Sequence, residues 1–166
     1  MQRVRDRLKT ADMRIIWDIG CTTGLRISDI LEIQAYQLIK PDAYIREKKT
    51  KKLHRIYVHK HIRDYIQAKI DKGEIKPCQK AFTLSRSQAW RNIKTAAAAA
   101  NIKTNVGTHS MRKSYAKKYM YRHGLKELKA RLNHSHIGDT IGYITSNADL
   151  GLDERGYPKK GEKNES

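Results

Sequence analysis

Apolar residues in this chain recur mostly at helical spacing, and that period breaks most clearly after Pro41. There Ala43–Glu47 and Leu53–Val58 read as two short strands, and the second run carries the β-formers Ile56, Tyr57 and Val58. Between them lies a turn made almost wholly of lysine, Lys48-Lys49-Thr50-Lys51-Lys52. A third short strand is expected at Ala81–Leu84. Helical spacing governs the rest. Met13, Ile16 and Trp17 predict a helix that Gly20 and Gly24 interrupt, and Ile27, Ile30, Leu31 and Ile33 a short second one. Ile62, Tyr65, Ile66 and Ile70 form an amphipathic face ended by Gly73. Ser85 and Gln88 have the spacing of a capping box and open a helix through the alanine run. Thr108 is the expected N-cap of a helix from about His109 to His123, stopped by Gly124. A shorter helix follows at Lys126–Leu132, and Ser135 caps a last one carrying Tyr143. The expected fold class is α+β and mainly helical, a mixed helical bundle with a small antiparallel β-sheet.

Charge narrows the partner. The 166 residues hold 35 Lys and Arg against 17 Asp and Glu, a net +18. Residues 147–166 are slightly acidic, with four basic and five acidic side chains, so the excess belongs to residues 1–146. We expect residues 1–146 to be one folded domain and 147–166, rich in glycine and charge, to be a tail that is flexible or partner-bound. A folded body this basic expects a polyanion, DNA or RNA first and an acidic membrane surface second. The plain alternative is a soluble basic surface. The longest apolar run is Ala96–Ala100, far short of the roughly 20 residues that span a bilayer. The start of the chain is charged, unlike a signal peptide. Cys21 and Cys78 make neither a disulfide framework nor a metal-type pair. The expectation is a cytoplasmic protein with no membrane segment and no structural zinc.

Five places carry chemistry-bearing side chains: Arg26, the lysine turn, His109 with Arg112, His134, and Tyr143. Each alone has a plain reading: a helix-surface charge, a solvated hairpin tip, an unrelated pair sharing a helical face, a turn histidine, a packing tyrosine. His134 and His136 make only a weak zinc signal. Together they suit phosphoryl transfer. Two arginines match the non-bridging oxygens of a phosphate with bidentate forks. A tyrosine hydroxyl can attack, a histidine can take its proton, and a hairpin lysine can return one to the leaving oxygen. Where the protein supplies the cations, positioning and charge stabilisation need no metal.

The local sequences around these residues resemble the catalytic domain of the tyrosine recombinases, the phage integrase family. Thr23-Gly24-Leu25-Arg26-Ile27-Ser28-Asp29 resembles its first-arginine motif, and Thr108–Ala116 its His-x-x-Arg helix. Leu132-Asn133-His134-Ser135 resembles its Leu-Gly-His-Ser segment, with asparagine for the usual glycine. Tyr143 follows nine residues after His134, and Lys49-Thr50-Lys51-Lys52 resembles the family's lysine turn. The resemblance covers roughly residues 11–145.

It implies the tyrosine-recombinase catalytic-domain fold and a role for each residue. Arg26 and Arg112 would clamp the scissile phosphate. Tyr143 would attack it and form a 3′-phosphotyrosyl link. Lys49 would be the general acid, with Lys48, Lys51 and Lys52 near enough to be reassigned that role. His109 would be the acid/base partner and His134 a hydrogen-bond donor to the phosphate. Asp29 would brace the site by pairing with a cationic neighbour. Strand exchange and religation would need neither ATP nor metal, and no cofactor is implied. Double-stranded DNA is the implied partner, with self-association on it through the C-terminal segment. The family usually has a DNA-gripping helical domain ahead of the catalytic one. Here 25 residues precede Arg26, which fits either a fragment of a longer integrase or a short form. The rivals are a catalytically silent DNA-binding module on the same scaffold, a type IB topoisomerase-like relaxing enzyme, and an RNA-binding protein.

Overall fold

The computed structural model describes residues 1–132. The expected helix bearing Tyr143, the turn bearing His134 and the segment 147–166 lie outside the described residues. The chain divides into two units between Arg112 and Lys113.

In the first unit a short helix, α1 (Gln2–Asp6), buries Val4 fully, and Leu8 follows it into the core. Helix α2 (Ala11–Thr23) opens on Thr10, whose side chain accepts from the Met13 amide. Its inner face buries Met13, Ile16, Trp17 and Ile19. Contrary to expectation, Gly20 does not interrupt this helix: α2 runs through it to Thr23, and Gly24 ends it at φ +71°. Gly20 serves packing instead. A Cβ there would lie 2.7 Å from Met111 Sδ and 2.9 Å from Met111 Cβ, so only glycine admits Met111 against α2.

The short helices α3 (Ile27–Ile30) and α4 (Ala35–Leu38) follow, and Ile33 sits between them rather than extending the first. Strands β1 (Asp42–Arg46) and β2 (Leu53–Tyr57) pair antiparallel, with Ile45 opposite His54. Alternation turns Ala43 and Ile45 of β1, and His54 and Ile56 of β2, to the interior, while Tyr44, Leu53 and Tyr57 face out. Helix α5 (Lys60–Asp71) buries Ile62 and Ile66 and closes at Gly73, φ +71°. The expected third strand at Ala81–Leu84 is absent. Lys80 makes one isolated bridge with Gln34, and the Ala81 amide donates to the Ile33 oxygen at 2.9 Å. Ala81 and Phe82 are buried as a core-filling loop, which explains their strand-like apolarity without a ladder.

Helix α6 (Arg86–Ala99) begins with the capping box expected of Ser85 and Gln88: each side chain satisfies the other's backbone amide. Helix α7 (Thr108–His123) places its first turn, through Arg112, in this unit. The second unit holds the later turns of α7 and helix α8 (Leu125–Arg131), parted by Gly124 at φ +88°. Its core is Tyr115, Ala116, Met120, Leu125, Leu128 and Leu132, and Arg131 donates to the Tyr115 hydroxyl at 2.8 Å.

Candidate active site

Arg26, His109 and Arg112, far apart in sequence, line one cleft of about 100 Å³ in the first unit. Ser28, Thr108 and Arg86 complete most of its wall. Arg26 is the N-cap of α3, in extended conformation, just after the left-handed Gly24 ends α2. The sharp change of direction at Gly24 puts Arg26 on a corner rather than on a helix face. Arg112 comes from the first turn of α7. It is almost fully buried, and its Nη1 donates to the Gly24 oxygen at 2.6 Å. His109, three residues earlier in the same turn, is exposed. Three arginines therefore line one small cleft, a setting suited to an anion with several acceptor oxygens.

The partner of Arg26 is Glu47, one residue beyond β1. Arg26 Nη1 lies 2.7 Å from Glu47 Oε2, and Glu47 is wholly buried. The same oxygen accepts from the Thr50 hydroxyl at 3.0 Å, and Oε1 faces Nδ1 of the buried His54 at 3.0 Å. None of Glu47, His54 and Arg86 was singled out from sequence. For Glu47 the signal was present: it continues the inward alternation of Ala43 and Ile45, and a charge at an inward strand position requires partners.

Asp29 is buried, and its Oδ1 accepts the backbone amide of Lys48 at 3.0 Å. It thus braces the lysine turn through a backbone N–H, where a cationic side chain had been expected. Within that turn, Lys48 Nζ pairs with Glu32 Oε1 at 3.0 Å. Lys80 reaches the same oxygen at 2.9 Å, and the two ammonium groups hold the Glu32 carboxyl below its usual range. Lys49 is exposed at the tip, and Lys51 turns the chain at φ +58°. His134 and Tyr143 lie outside the described residues. Among the described residues no group of three or more His, Cys, Asp or Glu side chains is arranged to hold a metal ion, and no helix is long and apolar enough to cross a membrane.

Residues 1–149 match the model of the phage integrase family. The chain is 31% identical over 163 residues to the probable integrase/recombinase YoeC of Bacillus subtilis (strain 168), covering 93% of this chain and 86% of that one. Among solved structures, the catalytic domain of bacteriophage HP1 integrase superposes with a TM-score of 0.65 at 22% identity, covering 88% of this chain and 85% of that chain. XerH site-specific recombinase, in a post-cleavage complex with palindromic difH substrate, superposes with a TM-score of 0.71 at 16% identity, covering 88% and 47%. XerA recombinase does so with a TM-score of 0.68 at 16% identity, covering 88% and 58%. At these identities the structural likeness is one of fold.

Proposed function

Because this chain belongs to the phage integrase family of tyrosine recombinases, whose members cleave and rejoin DNA, we propose that residues 1–146 catalyse site-specific recombination through a covalent protein–DNA link. The Tyr143 oxygen forms a bond to the scissile phosphorus as the bond from phosphorus to the 5′-oxygen breaks. His109 accepts the phenolic proton, and Lys49 returns a proton to the departing oxygen. Arg26 and Arg112 hold the non-bridging oxygens, with His134 as a further donor to them. The phosphotyrosyl link retains the phosphodiester's energy, so a second 5′-hydroxyl can reverse the reaction on a new strand.

The observation that carries this reading is the cleft on which Arg26, Arg112 and His109 converge. The clamp is anchored from behind, by Glu47 on Arg26 and by the Gly24 oxygen on Arg112, so little ordering is left for the moment of reaction. Among the turn lysines, Lys48 is engaged by Glu32, which favours Lys49 over Lys48 as the acid. The net charge of +18 and the DNA-bound state of the XerH structure support double-stranded DNA as the partner. We place the protein in the cytoplasm, with the C-terminal segment mediating self-association on DNA.

The test is to incubate the chain with a pool of nicked duplexes of varied sequence and to look for a denaturant-resistant protein–DNA adduct. Wild type should form it, and Tyr143→Phe should bind DNA equally but form none. An adduct from the Phe variant would reassign the nucleophile. Binding without any adduct from wild type would make the chain a DNA-binding module on the recombinase scaffold.

A further inference from the structure

Glu47 carries more than a structural account of the hairpin requires. A carboxylate is costly to take out of water unless cations and donors surround it, and an apolar residue would fill this buried position at lower cost. Two of its neighbours lead to the two halves of the site. Arg26 at 2.7 Å belongs to the phosphate cleft. Thr50 at 3.0 Å belongs to the lysine turn, directly after Lys49. The backbone of Glu47 closes that turn as well: its amide donates to the Lys52 oxygen at 3.0 Å and its oxygen accepts from the Lys51 amide at 2.9 Å. His54 fixes the carboxylate from β2. A carboxylate cannot donate, so the ring carries its hydrogen on Nδ1, and Nε2 is buried without a hydrogen-bond partner. The ring therefore has one polar task, to hold Oε1, which leaves Oε2 aimed at Arg26 and Thr50.

We propose that Glu47 is a positioning residue that locks the first arginine and the lysine turn to each other, with His54 orienting its carboxylate. The inference rests on the reading that Arg26 and Lys49 act on the scissile phosphate. One buried group then sets both the phosphate clamp and the leaving-group acid, so that neither is ordered without the other. A misplacement of about 1 Å at either group is enough to cost about 10²-fold in rate.

Two variants test this in the adduct assay, with rate measured at saturating DNA and affinity measured separately. Glu47→Gln keeps the shape and removes the charge. Its adduct rate should fall by about 10²-fold, with duplex affinity nearly unchanged. Thr50→Val removes one hydroxyl from a surface turn and leaves the core intact. Its rate should fall by about tenfold, a fraction of the roughly 10²–10⁴ that a positioned general acid contributes, and Thr50→Ser should restore it. A duplex with sulfur at the 5′-bridging position has a leaving group that needs no proton. On it Thr50→Val should recover almost fully and Glu47→Gln only in part, since Arg26 stays loosened. Rates equal to wild type in both variants, or a fall in Thr50→Val that the thio-substrate does not relieve, would overturn the proposal. If wild type itself forms no adduct, the recombinase reading falls and takes this one with it.

Discussion

Arg112 donates from Nη1 to the backbone oxygen of Gly24 at 2.6 Å, joining residues 88 positions apart. Gly24 stands two residues before Arg26, so the bond ties the second arginine to the corner that presents the first. The corner exists because Gly24 takes a left-handed conformation, φ +71°, that ends α2. Arg112 is thus anchored on backbone, while Arg26 is held through its side chain by Glu47.

Arg112→Lys keeps a positive charge but loses the planar fork that serves the Gly24 oxygen and, in the proposed mechanism, a phosphate. Adduct formation should fall by roughly 10²–10³-fold, while duplex affinity changes little, because this phosphate is one of many for binding. Parallel single-turnover and binding measurements decide it; an equal loss in both would mean that Arg112 contributes uniform binding only.

Gly20→Ala should be damaging although alanine is the better helix former. The new Cβ would meet Met111 at 2.7–2.9 Å, and one of the atoms it meets is a Cβ close to the backbone, so α7's first turn must shift. We expect a destabilisation of about 1–3 kcal/mol in urea unfolding, together with slower adduct formation as His109 and Arg112 move with that turn. Unchanged stability would show that the turn yields freely.

Tyr65 donates to Asp12 Oδ1 at 2.9 Å, and burial first, then that hydrogen bond, pushes its hydroxyl above the ordinary value of 10.0. The folded state therefore holds this proton at a pH where the unfolded chain releases it. The resulting stability is full below about pH 10 and is lost as pH rises through the higher folded value. Tyr65→Phe should lower stability by about 1–3 kcal/mol at neutral pH and flatten the alkaline limb of the stability curve. The check is urea unfolding from pH 7 to 11.5; an unchanged alkaline limb in the Phe variant would assign the loss to other groups.

Binding to duplex DNA should depend steeply on salt. With a net charge of +18 and contacts to about 6–10 phosphates, affinity should fall by roughly 10³–10⁵ between 50 and 200 mM salt. A flat titration would be incompatible with a polyanion partner. Random and preferred duplexes should share most of that slope, since phosphate contacts carry no sequence.

Much of this was legible because its causes are local. The period change after Pro41, the capping box of Ser85 and Gln88, and the glycine stops at Gly73 and Gly124 each depend on a few neighbouring residues. Gly20 misled for the complementary reason. A glycine inside a helical pattern reads as a breaker, and its actual use, admitting Met111 from 91 residues away, leaves no local trace. Ala81–Leu84 misled likewise: buried loop and strand share apolarity, and only the absence of a paired neighbour separates them.

The site divides along the same line. The sequence by itself determined which side chains were candidates for phosphoryl chemistry, Arg26, the lysine turn with Lys49, His109 and Arg112 among the described residues, because motif and residue type are properties of the chain. What only the tertiary structure decided was how they are held. Asp29 braces the lysine turn through the Lys48 amide, Arg112 is anchored on Gly24, and Arg26 is fixed by a buried Glu47 that also holds Thr50 and His54. Arg112 and Gly24, Arg26 and Glu47, and Lys48 and Asp29 are far apart in sequence, and a hydrogen bond of about 3 Å between distant residues has no counterpart in their spacing along the chain.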